Sequence, residues 1–389
     1  MKNRTLLMIP GPVEFDPEVL AALGAPTASH VAPNFIEIFG QALEQMREVF
    51  ICPDGQALIL AGSGTLAMDS AGANLIEPGD KALVVNTGYF SDRFGKILER
   101  YGALVTYISS PVGGRPSLDE VEKNLKTGDY KLMTVTHVDT STGVVNDVHS
   151  LAELANQHGP LVVVDGVCSV AGEELRMSEW NIDLTLTASQ KAIGVPPGLA
   201  LLMISPRALT AFRARKTPVM NYYADWSNWL SVMESYAARK PAYFATPAVN
   251  LVAALNVSLA QIIKEGMQAR FQRHAAISKA CKAGIGALGL GQVPLRTEFG
   301  ANTMTAPRYP AGVTGTDFLA EVTRAGVILA GGLHPLNRSE YFRIGHMGAV
   351  TIGDILTTLA AIENALAACG YLIEMGAGVS AALKAYYSR

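Results

Sequence analysis

The chain has 389 residues, 49% of them apolar and 17% charged, enough to bury a large core and too apolar for disorder. With 31 basic and 34 acidic side chains the net charge is −3, which excludes an extended basic surface for nucleic acid. Cys52, Cys168, Cys281 and Cys369 stand far apart and the seven histidines are scattered, so neither a metal site nor a disulfide framework is expected.

Only four apolar residues, Leu6 to Ile9, precede Pro10, too few for a signal-peptide core. No apolar run reaches membrane-spanning length, and the terminal Tyr-Tyr-Ser-Arg is not the Ser-Lys-Leu peroxisomal address. A cytoplasmic protein with no membrane partner is therefore expected. Pro10-Gly-Pro12 marks residues 1–20 as an extended arm outside the regular elements. Helical periodicity follows over Phe35–Phe50. Seven short apolar strands then recur between helical patterns, at Ala57–Leu60, Lys81–Asn86, Leu104–Ile108, Leu132–His137, Leu161–Asp165, Leu184–Ala188 and Leu199–Ile204. Most are apolar on both faces, the pattern of a mainly parallel α/β sheet covered by helices. Residues 217–246 read as helix and loop, and Pro247–Glu265 as a long helix that resumes after Gly266 towards Leu288. Short strands near Asn302–Ala306, Val327–Leu329 and Tyr341–Ile344 lie among further helices. The expected division is a large domain over 21–265 and a smaller α+β domain over 266–389.

In open α/β sheets ligands bind beyond the carboxyl ends of the strands, and the chemically suggestive residues collect there. Leu58-Ile-Leu-Ala-Gly-Ser-Gly-Thr65 is a strand, a glycine turn and a helix start, a backbone anion site suited to phosphate. Gly62-x-Gly64-x-x-Ala67 also satisfies the dinucleotide fingerprint. That fingerprint requires a carboxylate at the end of the next strand, which here ends Val84-Val85-Asn86-Thr87. Leu161–Asp165 ends a buried strand in an aspartate, which either caps the next turn or pairs with a buried cation. Thr136–Gly143 is a hydroxyl-rich strand end. From Asp183 to Arg207 the only charged residue in between is Lys191, set between two apolar strands at a Gly/Pro turn. A desolvated lysine loses basicity and becomes a nucleophilic amine able to form Schiff bases. Arg343 lies in an apolar strand, where a guanidinium suits a carboxylate ligand or a structural ion pair. Phosphate turn, strand-end carboxylate, lysine and distant arginine together form the set that pyridoxal phosphate uses.

On these residues the chain resembles the fold-type I pyridoxal-phosphate enzymes of the class V aminotransferase group, and is most similar to the alanine–glyoxylate (serine–pyruvate) type. The matching stretches are Pro10-Gly-Pro12, Ala61-Gly-Ser-Gly64, Thr140-Ser-Thr-Gly143, Val164-Asp165, Ser189-Gln-Lys191, Pro196-Pro-Gly198 and Arg343-Ile-Gly345. The resemblance implies Lys191 as the Schiff-base lysine and Asp165 as partner of the pyridinium nitrogen. Ser63, Gly64, Thr65 and Gln190 would hold the phosphate, and Thr140 would bond the ring region. Phe90 stands where the family often has a tryptophan stacked on the ring, and Thr65 where relatives often have histidine. Tyr243 and Thr246 match residues that reach the neighbouring subunit's phosphate, which implies a homodimer with shared sites. Arg343 would grip the substrate carboxylate, with no second cation for a dicarboxylate side chain. The implied reaction is transamination of L-alanine, with L-serine as a further candidate donor, against glyoxylate. Alternatives are the pyridoxamine–pyruvate, aminoethylphosphonate–pyruvate and ureidoglycine–glyoxylate aminotransferases of the same class; the helical tail beyond Ala367 resembles the first of these. From other classes stand a nicotinamide oxidoreductase, through Gly62-x-Gly64, and a non-catalytic binding protein, which would have no use for Lys191, Asp165 and the phosphate turn together.

Overall fold

The computed structural model describes residues 5–388; Met1 to Arg4 of the expected arm and Arg389 of the expected small domain lie outside them. Its centre is a seven-stranded sheet in the order Gln56–Ala61, Leu199–Ile204, Leu184–Ala188, Leu161–Asp165, Leu132–Thr136, Lys81–Asn86, Leu104–Ser109. Leu199–Ile204 runs antiparallel to both its neighbours and every other pairing is parallel. These are the seven strands expected, with ends displaced by a residue at most. Leu132–Thr136, Leu161–Asp165, Leu184–Ala188 and Leu199–Ile204 are buried at every position; up to its end Leu161–Asp165 is an apolar run, as is Leu199–Ile204 throughout, while the other two bury Thr134, Thr136, Thr185 and Thr187 among their apolar residues. The helix Gly64–Leu75 packs on Leu184–Ala188 and Leu199–Ile204, and the helix Tyr89–Arg100 on Lys81–Asn86, Leu104–Ser109 and Leu132–Thr136.

A second apolar cluster joins the helices Met267–Ala287, Ile352–Ala368 and Ala377–Tyr387 through Ile285, Leu359, Ile362 and Ala382. Its three-stranded sheet has the order Met304–Thr305, Phe342–Gly345, Ala330–Gly331. The sequence showed the first two and missed the glycine-containing third.

Two expectations for the N-terminus are corrected. Leu6–Leu7 is a strand, paired in parallel with Val327–Ile328, and the Met8 side chain is fully buried in the second cluster. An arm laid over a core must satisfy its backbone, and the Leu6 and Met8 N–H groups donate to the Gly326 and Ile328 carbonyls at 2.9 Å. Pro17–Leu23 is a helix spanning the expected end of the arm at residue 20. Its start carried the signals, a proline at its first position and Asp16 accepting the Glu18 N–H at 2.8 Å.

Candidate active site

The parallel strands aim their carboxyl ends at one place. Asp165 ends its strand there, Gln190 and Lys191 follow Leu184–Ala188, and the helix Gly64–Leu75 begins just after Gln56–Ala61. A cavity of about 170 Å3 results, lined by Ser63, Gly64, Thr65, Phe90, Thr140, Asp165, Gln190 and Lys191, all named from the sequence. A larger groove of about 910 Å3, between Met267–Ala287 and residues 290–302, contains none of them.

Lys191 is buried, and its ammonium donates to the Pro10 carbonyl, so the N-terminal arm closes over it. The Val13 N–H donates to the Gln190 carbonyl at 3.2 Å and ties the arm down beside the lysine. Gly11, at φ +118°, passes so near that a Cβ there would stand 2.6 Å from the Lys191 Cδ. Burial lowers the Lys191 pKa, and the charge of Arg343 lowers it further against opposing pulls from Cys168 and Asp165. Asp165 accepts the Val167 N–H at 3.0 Å, yet burial pushes its carboxyl up to about 7. The charge of Asp139 adds to that rise and Lys191 opposes it. Burial thus disfavours the charged form of both groups.

At the other end of the cavity Ser63 caps the helix Gly64–Leu75 without a side-chain capping bond, and no acidic residue occupies its first turn. The helix dipole is left for an anion. Gly64 is required by space, since a Cβ would meet the Val167 Cγ2 at 2.8 Å. The Gln190 Oε1 is buried without a hydrogen-bond partner. Phe90 is the second residue of the helix Tyr89–Arg100, whose start is pinned by Asp139: this fully buried carboxylate accepts the N–H groups of Phe90 at 3.0 Å and Ser91 at 3.2 Å. It also accepts the Ser141 N–H at 2.9 Å and hydroxyl at 2.6 Å, so Asp139 couples the Phe90 helix to the Thr140 turn.

Arg343 stands behind Thr140, donating through Nη1 to the Thr140 carbonyl at 3.2 Å and through Nε to the Gly331 carbonyl at 2.8 Å; it does not line the cavity. Tyr243 and Thr246 are exposed and away from the cavity, with the Tyr243 ring 5.3 Å from that of His30. The sequence reading missed Gly11, Met68, Arg93, Val138 and Val167 on the cavity wall and Asp139 behind it. Arg93 is a cation on the cavity wall that the sequence did not single out. Only its place one turn after Phe90 signalled it. Among the described residues no cluster of three or more His, Cys, Asp or Glu side chains is placed to hold a metal ion, and no helix is long and apolar enough to cross a membrane.

The profile of the family described as aminotransferase class-V matches residues 18–348. The chain is 38% identical over 369 residues to the alanine–glyoxylate aminotransferase 1 of Saccharomyces cerevisiae, covering 89% of this chain and 93% of that protein. It is 31% identical to the L-aspartate–glyoxylate aminotransferase of Paracoccus denitrificans, over 99% and 97% of the two chains. The crystal structure of the ureidoglycine–glyoxylate aminotransferase from Bacillus subtilis superposes with a TM-score of 0.93 at 28% identity, over 100% of this chain and 99% of that one.

The cavity fits a phosphorylated pyridine aldehyde. An uncapped helix start and the partnerless Gln190 Oε1 suit the phosphate end, Asp165 would be ionised by a protonated ring nitrogen, and Lys191 is an amine whose charge burial disfavours. The match over residues 18–348 and the near full-length likeness lead to one assignment: the chain belongs to the class V aminotransferases and uses pyridoxal 5′-phosphate.

Proposed function

We propose that the enzyme transfers the amino group of a small amino acid, L-alanine with L-serine as a second donor, to glyoxylate, producing pyruvate or hydroxypyruvate and glycine. The observation that carries this reading is the convergence of Lys191, Asp165 and the Gly64 helix start on one cavity of about 170 Å3. The 38% identity to the yeast alanine–glyoxylate enzyme supports the choice of donor and acceptor. Membership of this family leaves no role for a nicotinamide at Gly62-x-Gly64.

In this reading Lys191 carries the cofactor and Asp165 faces its ring nitrogen. Phe90 stacks on the ring, Thr140 bonds its edge, and Ser63, Gly64, Thr65 and Gln190 surround the phosphate. The partner subunit's Tyr243 and Thr246 complete that end in a homodimer. Arg343, held behind Thr140 by its bonds to the Thr140 and Gly331 carbonyls, would offer its Nη2 donors to the donor's α-carboxylate. When bound, pyridoxal phosphate supplies the electron sink that makes the donor's Cα proton removable. Lys191, released by the incoming amine, takes that proton, and in the second half-reaction returns one to the carbon of the acceptor. Burial and the charge of Arg343 lower the Lys191 pKa, the direction that favours the neutral amine a base needs. A base so placed contributes about 10²–10⁴-fold. Asp165, once ionised, stabilises positive charge on the ring nitrogen.

Arg93 favours a second reading, a donor bearing a side-chain carboxylate, as in the name of the Paracoccus relative. Absorption spectra of the purified enzyme separate the two. A visible band that bleaches with L-alanine and returns with glyoxylate supports the first. A band that ignores L-alanine but bleaches with L-aspartate replaces it with the second. A chain with no visible band after incubation with pyridoxal phosphate would overturn the placing of Lys191.

A further inference from the structure

Besides Lys191, Arg93 is the one cation on the wall of the 170 Å3 cavity. It also borders an adjoining cavity of about 590 Å3, which shares Ser63 and Thr65 with the first. Its Nη1 donates to the Thr65 hydroxyl at 2.9 Å and its Nη2 to the Tyr89 hydroxyl at 3.3 Å. The guanidinium carbon stands 4.9 Å from the Phe90 ring centre and 5.0 Å from that of Tyr89. Both hydrogen-bond partners are neutral hydroxyls and both flat neighbours are rings, so among the described residues its charge has no carboxylate partner. The two aspartates of the adjoining cavity are held elsewhere. Asp92 accepts from the Asn86 side chain at 2.6 Å, and Asp69 from the Tyr101 hydroxyl at 3.0 Å and the Asn221 side chain at 2.7 Å. A guanidinium has five donors, and only two are used here.

We propose that Arg93, aimed by Thr65, is the cation that neutralises the phosphate of the bound cofactor. The inference rests on reading the cavity as the cofactor site. A phosphate monoester brings a charge of about −1.5 to −2. A helix start offers the equivalent of about +0.5. Ser63, Thr65 and Gln190 add hydrogen bonds and no charge, as do the partner subunit's Tyr243 and Thr246. Lys191 is committed to the aldehyde end, and Arg343 lies behind Thr140. Without Arg93 most of the phosphate charge would stand uncompensated in a partly enclosed site. The Thr65 bond places the guanidinium at the second residue of the helix Gly64–Leu75, where the phosphate would sit, and its ring contacts restrict its swing away.

The test is binding. Wild type, Arg93→Gln and Arg93→Lys, stripped of cofactor, are titrated with pyridoxal phosphate and with pyridoxal, which lacks the phosphate. Charge-assisted hydrogen bonds lead us to expect Arg93→Gln to weaken pyridoxal phosphate binding about 10- to 100-fold. Pyridoxal affinity, which also reports an intact fold, should not change, and Arg93→Lys should fall between. Equal pyridoxal phosphate affinity in wild type and Arg93→Gln would overturn the inference, as would equal losses for both ligands. A KM for L-aspartate that rises with cofactor affinity unmoved would reassign Arg93 to the donor. Failure of the cofactor-site reading itself looks different: wild type would take up neither ligand.

Discussion

Lys191 and Asp165 are each set by what surrounds them more than by their type. The lysine's low-charge run from 184 to 206 was visible in one dimension; that the Pro10 carbonyl meets its ammonium was not, because the two are 181 residues apart. Asp165 leads to a pH prediction. Its folded pKa of about 7 lies above the reference value of 3.8, so the folded chain holds this proton more tightly than the unfolded chain. The associated stability is fully present below about pH 4 and is lost as pH rises to about 7. Asp165→Asn removes the charge, so the cofactor-free variant should gain stability over wild type at pH 8 and little at pH 4. The full shift corresponds to an upper limit on the order of 4 kcal/mol. Thermal melts at the two pH values check this, and equal differences at both would refute it. The same variant should bind pyridoxal phosphate more weakly, having lost the partner of the ring nitrogen.

At the scale of elements, the buried strands explain how much could be read in advance. A strand covered on both faces carries mostly apolar and β-branched side chains, threonine included, and the charged residue that ends Leu161–Asp165 stands out against that pattern. Amphipathic helices conceal more. Arg93 sits in Tyr89–Arg100 among Asp92, Lys96 and Glu99, where a charge looks like ordinary solvent-facing sequence. Asp139 passed as one polar residue in a hydroxyl-rich turn. The C-terminal helix Ala377–Tyr387 has a comparable hidden anchor in Glu363. This buried carboxylate accepts the N–H groups of Gly376 at 2.7 Å and Gly378 at 2.8 Å, at the positive end of the helix dipole. Glu363→Ala should cost about 2–3 kcal/mol and release the helix, seen as faster amide exchange over 378–387. Cofactor uptake should be unaffected, because this helix packs on the second cluster and lines no part of the 170 Å3 cavity.

At the scale of the whole molecule, Tyr243 is 65% exposed, Tyr222 80% and Met220 82%, on the two loops that flank the helix Trp226–Ala237 and meet where the Tyr222 ring lies 5.6 Å from that of Phe244. Apolar side chains exposed together mark a surface that another protein covers. We expect that protein to be a second copy, with the Tyr243–Thr246 stretch entering the partner's site. Light scattering should then give twice the chain's 41.2 kDa. Lys191→Ala and the Tyr243→Ala/Thr246→Ala double variant should each be nearly inactive. Mixed after mild dissociation they should recover about one quarter of wild-type activity, since half the dimers carry one intact site. No recovery from a mixture shown to contain heterodimers would refute shared sites.

Local chemistry alone determined the seven strands, the glycine turn before a helix, the strand-end aspartate and the isolated lysine. Each is a property of a few neighbouring residues and the environment they demand. Tertiary structure decided which distant groups complete them. It laid Leu6–Leu7 beside Val327–Ile328, put Gly11 against Lys191, tied the Phe90 helix to Asp139 and brought Arg93 to Thr65. Those contacts join residues 28 to 321 positions apart, and no local propensity records a partner that far along the chain.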